Sequence, residues 1–166
     1  SAGLAVLGWL LAQHQRPQLK GKKSEKVPGS RCLLTPDVAA IPGHLHEAEA
    51  IALVRDLVDL PANLLGPVEL AAETEKIAKK FDASYRELSG DTLEQGYPLI
   101  HAVGKAASKD RAPRLVELRW GAQKHPLISI IGKGICFDSG GLDLKPASGM
   151  RLMKKDMGGA AHALAL

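Results

Sequence analysis

Between Gly132 and Gly159 the chain reads "GKGICFDSGGLDLKPASGMRLMKKDMGG", setting four lysines and three aspartates among seven glycines. Lys133 directly follows an apolar run, so its ammonium is expected to be partly desolvated. Desolvation and neighbouring cations lower a lysine pKa and free an amine to act as ligand or base. Asp138 comes five residues later, just before Ser139, Gly140 and Gly141, whose small size permits close approach to an ion or substrate. Lys145 stands before Pro146, and Asp156 stands shortly before Gly158 and Gly159. Buried carboxylates require a cation, and two that converge with an amine can hold a divalent metal.

Each of these residues also has a plainer use. Asp138 before Ser-Gly-Gly fits a turn residue making a local hydrogen bond. Asp156 fits a helix cap or dipole partner. Lys145, Lys154 and Lys155 fit solvated surface charges. "GKGICFDSGG" lacks the GxxxxGK[ST] spacing of a phosphate loop. Cys136 has no histidine partner within the stretch, and strand alternation would bury it, so a core thiol is preferred to a nucleophile. His162 reads as an ordinary helix position rather than a metal ligand. Two aspartates alone are too few for a two-ion hydrolytic centre, which needs bridging carboxylates around ions about 3.5–4 Å apart.

The elements that must position these residues follow from periodicity. Ala2–Gln15 reads as a helix, and Arg16 to Arg31, with six basic residues and one acid, as a solvated polar connection. "RCLLTP" reads as a short strand. From about His46 to Leu60, Ile51, Val54, Leu57 and Val58 keep helical spacing until Pro61 breaks it. A second helix opens at Pro67 and carries Leu70, Thr74, Ile77, Ala78 and Phe81 on one face. After Phe81 the texture becomes β-like: "ASYREL", "PLIHAVG" and "RLVELRW" are read as strands, the last with Val116, Leu118 and Trp120 on one side. "PLISIIG", 126–132, is apolar throughout its centre, as a strand covered on both faces would be. "MGGAAHALAL" opens a final alanine-rich helix. This order points to an α/β layered domain, with the charged loop at the C-terminal end of a central strand, where ligand sites of open α/β sheets lie.

The bulk numbers agree with a globular chain. Its 166 residues suffice for one core, with 45% hydrophobic and 24% charged residues. A net charge of +4 is mild, and with aromatics at 4% a nucleic-acid role is disfavoured. Cys32 and Cys136 form no CxxC unit, so no disulfide framework is expected and a reducing compartment is the default. "SAGLAVLGWLLA" lacks a basic leader and is too short to span a bilayer. A start at Ser1 leads to the expectation of a piece of a longer protein.

The stretch closely resembles the signature of the leucyl aminopeptidase family, the cytosolic di-metal aminopeptidases. GKG, FDSGG, LKP and the M-x-x-M-K-x-D-M-G-G-A-A run occur in the family's order and spacing. "RDLVDLPANLLGPVEL" resembles its helix and turn, and "YPLIHAVGKAASKDRAPRLVELRWG" the strand pair before its metal loop. The resemblance covers most of the chain from Glu47 onward.

What it implies is a three-layer α/β/α fold with a mixed central sheet. Residues 46–166 would form the N-terminal half of the catalytic domain, and 1–45 a helix and basic linker leading into it. Lys133 would ligate the tightly held metal ion, Asp138 would bridge two ions and Asp156 would ligate the tight one. Lys145 would sit by the metals and polarise the scissile carbonyl or stabilise the oxyanion formed from it, and Met153 would line the pocket for the substrate's first side chain. A hydroxide between the ions would attack, with the peptide's free α-amine on a metal. The implied cofactors are two divalent ions, Mn²⁺ or Zn²⁺, with bicarbonate; the implied partners are peptides and a homo-hexamer in the cytoplasm, with no membrane. The family's N-T-D-A-E-G-R type block, which brings the other acidic ligands and an arginine, is not among these residues. The expectation is therefore half of the metal shell and no activity from this chain alone. The alternatives are a non-catalytic binding or assembly module on the same fold, some relatives of the family binding DNA, and, ranked last, a hydrolase using Cys136.

Overall fold

The computed structural model describes residues 2–16, 19, 29, 31–36, 38–39 and 41–166. Most of the basic run expected between Arg16 and Arg31 lies outside the described residues. Helix α1 (Ala2–Gln13) packs on α2 (Ile41–Asp59). Val6 and Ala48 are buried, and His14 Nε2 lies 2.8 Å from Asp56 Oδ1. Helix α2 starts five residues earlier than His46, because Pro42 falls in its first turn, where a missing N–H does no harm.

Pro61 ends that helix and its carbonyl accepts the N–H groups of Leu64 and Leu65, at 2.9 and 3.0 Å. The tight turn drops Leu65 into the core and launches α3 (Pro67–Lys80) with proline at its first position. Glu69 Oε2 reaches back to accept the Gly66 N–H at 2.9 Å, which closes the helix start. Arg111, from a 3₁₀ turn at Lys109–Arg111, clamps the same corner. It donates to Glu69 at 3.1 Å and to the carbonyls of Ala62 and Asn63 at 3.1 and 2.9 Å.

Strand β1 (Ser84–Ser89) pairs antiparallel with β2 (Arg114–Arg119), with Tyr85 opposite Leu118 and Glu87 opposite Val116. Arg114 and Glu87 close a 2.8 Å ion pair on this ladder. Helix α3 covers the pair, burying Leu70, Ala71, Thr74 and Ala78 along its apolar stripe, while Phe81 lies past its end and is exposed. Between the strands, α4 (Gly90–Gly96) buries Leu93 completely and leads to α5 (Pro98–Gly104). The fold is thus α/β, with a two-stranded sheet among the described residues.

Three expected strands do not form. "PLIHAVG" is the helix α5: Pro98 suits a helix start, and the N–H groups of His101 and Lys105 close onto the carbonyls of Tyr97 and His101 at 3.1 and 2.8 Å. "RCLLTP" has no regular structure, with Leu34 fully open to solvent. Residues 126–132 pair with no described strand, and Leu127, Ile128 and Ile131 are 80–93% exposed. A strand needs a neighbour for its backbone groups, and the described residues offer this segment none.

The main core joins Leu57, Leu65, Leu70, Cys136, Met157 and Ala161, flanked by Leu53, Val54, Val58 and Leu164. Two of its members, Cys136 and Met157, lie within two residues of Asp138 and Asp156, so core packing sets where those carboxylates start. Helices α6 (Ala147–Met150) and α7 (Gly158–Ala165), with a 3₁₀ turn at Met153–Met157 between them, complete the chain. Among the described residues, no helix is long and apolar enough to cross a membrane.

The Gly66 N–H, aided by the Arg111 guanidinium, holds the Glu69 carboxyl below its ordinary value. A carboxyl depressed in the folded state stabilises above the ordinary glutamate range and loses that contribution as pH falls through its lowered value. Glu69→Ala is expected to cost about 1 kcal/mol at neutral pH. Urea midpoints taken from neutral to acid pH check both effects: the difference between wild type and variant should shrink as the medium is acidified.

Candidate active site

The site begins where two glycines touch. A Cβ on Gly132 would fall inside the backbone of Gly159, and one on Gly159 would lie 2.9 Å from the Lys133 nitrogen. Only residues without side chains allow this approach. It is sealed by the Ala160 N–H, which donates to the Lys133 carbonyl at 2.9 Å. Lys133 is thereby fastened to the first turn of α7, immediately after the 3₁₀ turn that carries Asp156.

From Cys136, anchored in the core, the chain emerges at Asp138. Its Oδ1 accepts the Gly140 N–H at 2.8 Å, a local turn of the kind an aspartate before Ser-Gly-Gly makes. Gly140, Gly141, Leu142 and Asp143 then take φ values of +83°, +78°, +49° and +57° in succession. Four left-handed residues in a row fold the chain back, so that the Lys145 N–H donates to the Ser139 carbonyl at 3.1 Å. The return brings Lys145 Nζ to 3.4 Å from Asp138 Oδ2 and 2.8 Å from Met153 Sδ.

Lys133 sits between the two acids. Its Nζ donates to Asp138 Oδ2 at 3.0 Å and to Asp156 Oδ2 in a very short contact. The structure therefore brings together Lys133, Asp138, Lys145, Met153 and Asp156. Asp138 receives two ammonium groups and one N–H, and the Lys133 contact first, then the Gly140 N–H, holds its carboxyl well below the usual range. Asp156 first, then Asp138, raises the Lys133 pKa. This reverses the expectation of a lysine lowered by desolvation: the side chain is 52% exposed and its neighbours are acids rather than cations.

The arrangement suits a divalent cation in part. Two carboxylates already converge on one positive group, and once Lys133 gives up its proton its amine and the carboxylate oxygens make a donor set that Mn²⁺, Zn²⁺, Mg²⁺ or Co²⁺ accepts. Among the described residues, no cluster of three or more His, Cys, Asp or Glu is placed to hold a metal, so this set supplies only part of a two-ion shell. The remaining candidates stand apart from the site. His162 Nδ1–H donates to the Gly158 carbonyl at 2.6 Å, within its own helix. The Cys136 thiol is pushed up to about 11, chiefly by burial, which disfavours the thiolate a nucleophile requires. Cys32 and Cys136 are both free. Lys154, read from the sequence as a surface charge, instead donates to the Asp59 carbonyl at the end of α2. Arg111 carried no signal in the sequence, since the Ala62, Asn63 and Glu69 groups it clamps lie more than 40 residues away.

Comparison with known proteins first defines a class: residues 52–166 match a peptidase catalytic domain, that of the cytosol aminopeptidase family. The probable cytosol aminopeptidase of Rhizobium rhizogenes is 39% identical, over 97% of this chain and 34% of its own length. The crystal structure of the cytosol aminopeptidase from Coxiella burnetii is similar with a TM-score of 0.88 and 42% identity, covering 98% of this chain and 34% of that one. The bottromycin maturation enzyme BotP, in a structure with Mn, is similar with a TM-score of 0.77 and 33% identity, covering 99% of this chain and 34% of its own. The chain belongs to the cytosol aminopeptidase family. It spans about a third of the length of these relatives.

Two substitutions probe how the loop is held. Gly132→Ala drives a methyl into the Gly159 carbonyl and is expected to destabilise by about 1–3 kcal/mol. Leu142→Gly relieves a left-handed leucine and is expected to stabilise by at most about 1 kcal/mol, partly offset by the glycine's greater freedom when unfolded. Denaturant midpoints read both, with opposite signs.

Proposed function

We propose that this chain forms part of a metal-dependent aminopeptidase that releases N-terminal amino acids from peptides. The observation that carries the reading is the convergence of Asp138 and Asp156 on the Lys133 amine, with Lys145 alongside, in a chain of this family. Lys133, Asp138 and Asp156 are the proposed metal-holding residues, serving two ions of the Mn²⁺ or Zn²⁺ type. The other ligands would come from residues other than those gathered here. Bound ions would supply carbonyl polarisation and a strong nucleophile from water near neutral pH.

The chain's own residues do the positioning. Lys145 is held by Asp138 and Met153 with its ammonium at the site's edge. A cation fixed there stabilises the negative charge that grows on a carbonyl oxygen as it is attacked. Met153 offers an unbranched thioether to the substrate's first side chain, a surface that tolerates several shapes. Residues 46–166 are read as the first half of the catalytic domain and 1–45 as the connection into it. Bicarbonate as an auxiliary, a homo-hexamer and a cytoplasmic setting belong to the same reading.

The test is hydrolysis of an aminoacyl anilide by the full-length protein. Activity should stop with a chelator and return with Mn²⁺ or Zn²⁺. Lys145→Met should lower kcat roughly 100- to 1,000-fold with little change in KM, while Asp138→Asn should abolish metal binding. Metal binding without hydrolysis would favour an assembly module on the same fold. Hydrolysis indifferent to chelation but lost on thiol alkylation would sink the metal reading in favour of Cys136.

A further inference from the structure

The five residues Met153–Met157 form a 3₁₀ turn. Such a turn has three residues per revolution, so positions three apart eclipse one another. The contacts sort by this period. Met153 and Asp156 face the loop, touching Lys145 and Lys133 respectively. Lys154 and Met157 face α2: Lys154 Nζ donates to the Asp59 carbonyl, and Met157 is fully buried in the cluster that contains Leu57. Lys155, between them, is exposed.

The contact made by Lys154 is well matched. The last carbonyls of a helix lack intrahelical partners and carry the negative end of its dipole, and Lys154 brings an ammonium there from a distant element. Met157 and the helix α7 that follows it, with Ala161 buried in the same cluster, hold the C-terminal end of the turn to the core. Lys154, on the same face and one turn earlier, adds an anchor that limits rotation of the N-terminal end. Rotation is the coordinate that decides whether Asp156 points at Lys133 or into solvent.

We propose that Lys154 is a positioning residue: its bond to the end of α2 sets the 3₁₀ turn so that Asp156 and Met153 face the metal loop. The inference rests on the reading of Asp156 as a metal ligand. Lys154 itself touches neither ligand nor substrate, and its partner, the Asp59 carbonyl, belongs to the helix that forms the floor of the core. Partners that hydrogen-bond a metal ligand typically change metal affinity by roughly 10- to 100-fold when lost, and a residue acting one step further back is expected at the low end of that range.

The experiment is calorimetric titration of Mn²⁺ into the full-length protein, with thermal unfolding of each metal-free variant beside it. Lys154→Met should weaken Mn²⁺ binding roughly tenfold, Lys154→Arg should restore it, and Lys155→Met should bind as wild type. Asp156→Asn should bind far more weakly than any of these. If Lys154→Met lowers the unfolding temperature but the folded protein binds Mn²⁺ as wild type does, Lys154 is only structural and the proposal is overturned. Should Lys154→Met not fold, Lys154→Gln, which keeps a shorter donor, decides by the same comparison with Lys154→Arg. If Asp156→Asn also binds as wild type, the ligand reading itself fails; if only Lys154→Met does, that reading stands and the positioning role falls.

Discussion

Where Gly132 passes Gly159, two backbones approach more closely than any pair of side chains would permit, and the Ala160 N–H closes on the Lys133 carbonyl. The rest of the site follows from that contact. It brings the start of the charged loop against the start of α7, which puts Lys133 within reach of Asp156 although 23 residues separate them. On one side the loop is pinned by Cys136, on the other the 3₁₀ turn is pinned by Met157, and both belong to the same apolar cluster. The hydrophobic core thus acts on the charges indirectly: it fixes backbones, and the glycines convert fixed backbones into meeting side chains.

The charges in turn compensate one another. Asp138 and Asp156 share the Lys133 ammonium, and Asp138 takes the Lys145 ammonium as well. The two carboxylates and two ammonium groups together carry no net charge. The lowered Asp138 and raised Lys133 pKa values express the same fact. Part of the loop's geometry is nonetheless strained, since Leu142 and Asp143 adopt a left-handed backbone that costs a non-glycine residue energy. Strain of that kind persists only where surrounding contacts over-determine it. Here the Lys145 N–H to Ser139 bond and the Lys145 side-chain contacts close the excursion.

Much of this was legible in the chain itself. Helical spacing located α2 and α3, Pro67 marked the first position of α3, and the Ser84–Ser89 and Arg114–Arg119 strands were readable from their texture. The residues that would form the site were also readable, as charged groups among glycines. What was not legible depends on neighbours. "PLIHAVG" has strand-like composition and becomes a helix: Pro98 presets the first helical position, and its apolar residues find no sheet to join among the described residues, Leu99 and Val103 remaining exposed. Residues 126–132 have the composition of a strand covered on both sides, but covering is supplied by other segments, and the described residues leave Ile128 and Ile131 in solvent. The direction of the Lys133 shift failed for a related reason: the sequence showed an apolar run before the lysine and could not show the two acids folded onto it.

The interleaving of charge and glycine has one physical reading at two scales. Over short distances, glycine at 140 and 141 lets the chain reverse so that Asp138 and Lys145, seven positions apart, face each other. Over long distances, glycine at 132 and 159 lets separate elements abut so that Lys133 and Asp156 do the same. Lysine is the other half of the device, since its four-carbon stem spans the gap that remains once backbones are in contact. An aspartate has no such reach and must be aimed by its own backbone. The two acids therefore sit on segments fixed by the core, at Cys136 and Met157, while the lysines reach them across the gap from the loop. The same division explains why a lysine at 154 can be spent on holding α2: long cations bridge elements, and short anions mark the point where the elements must converge.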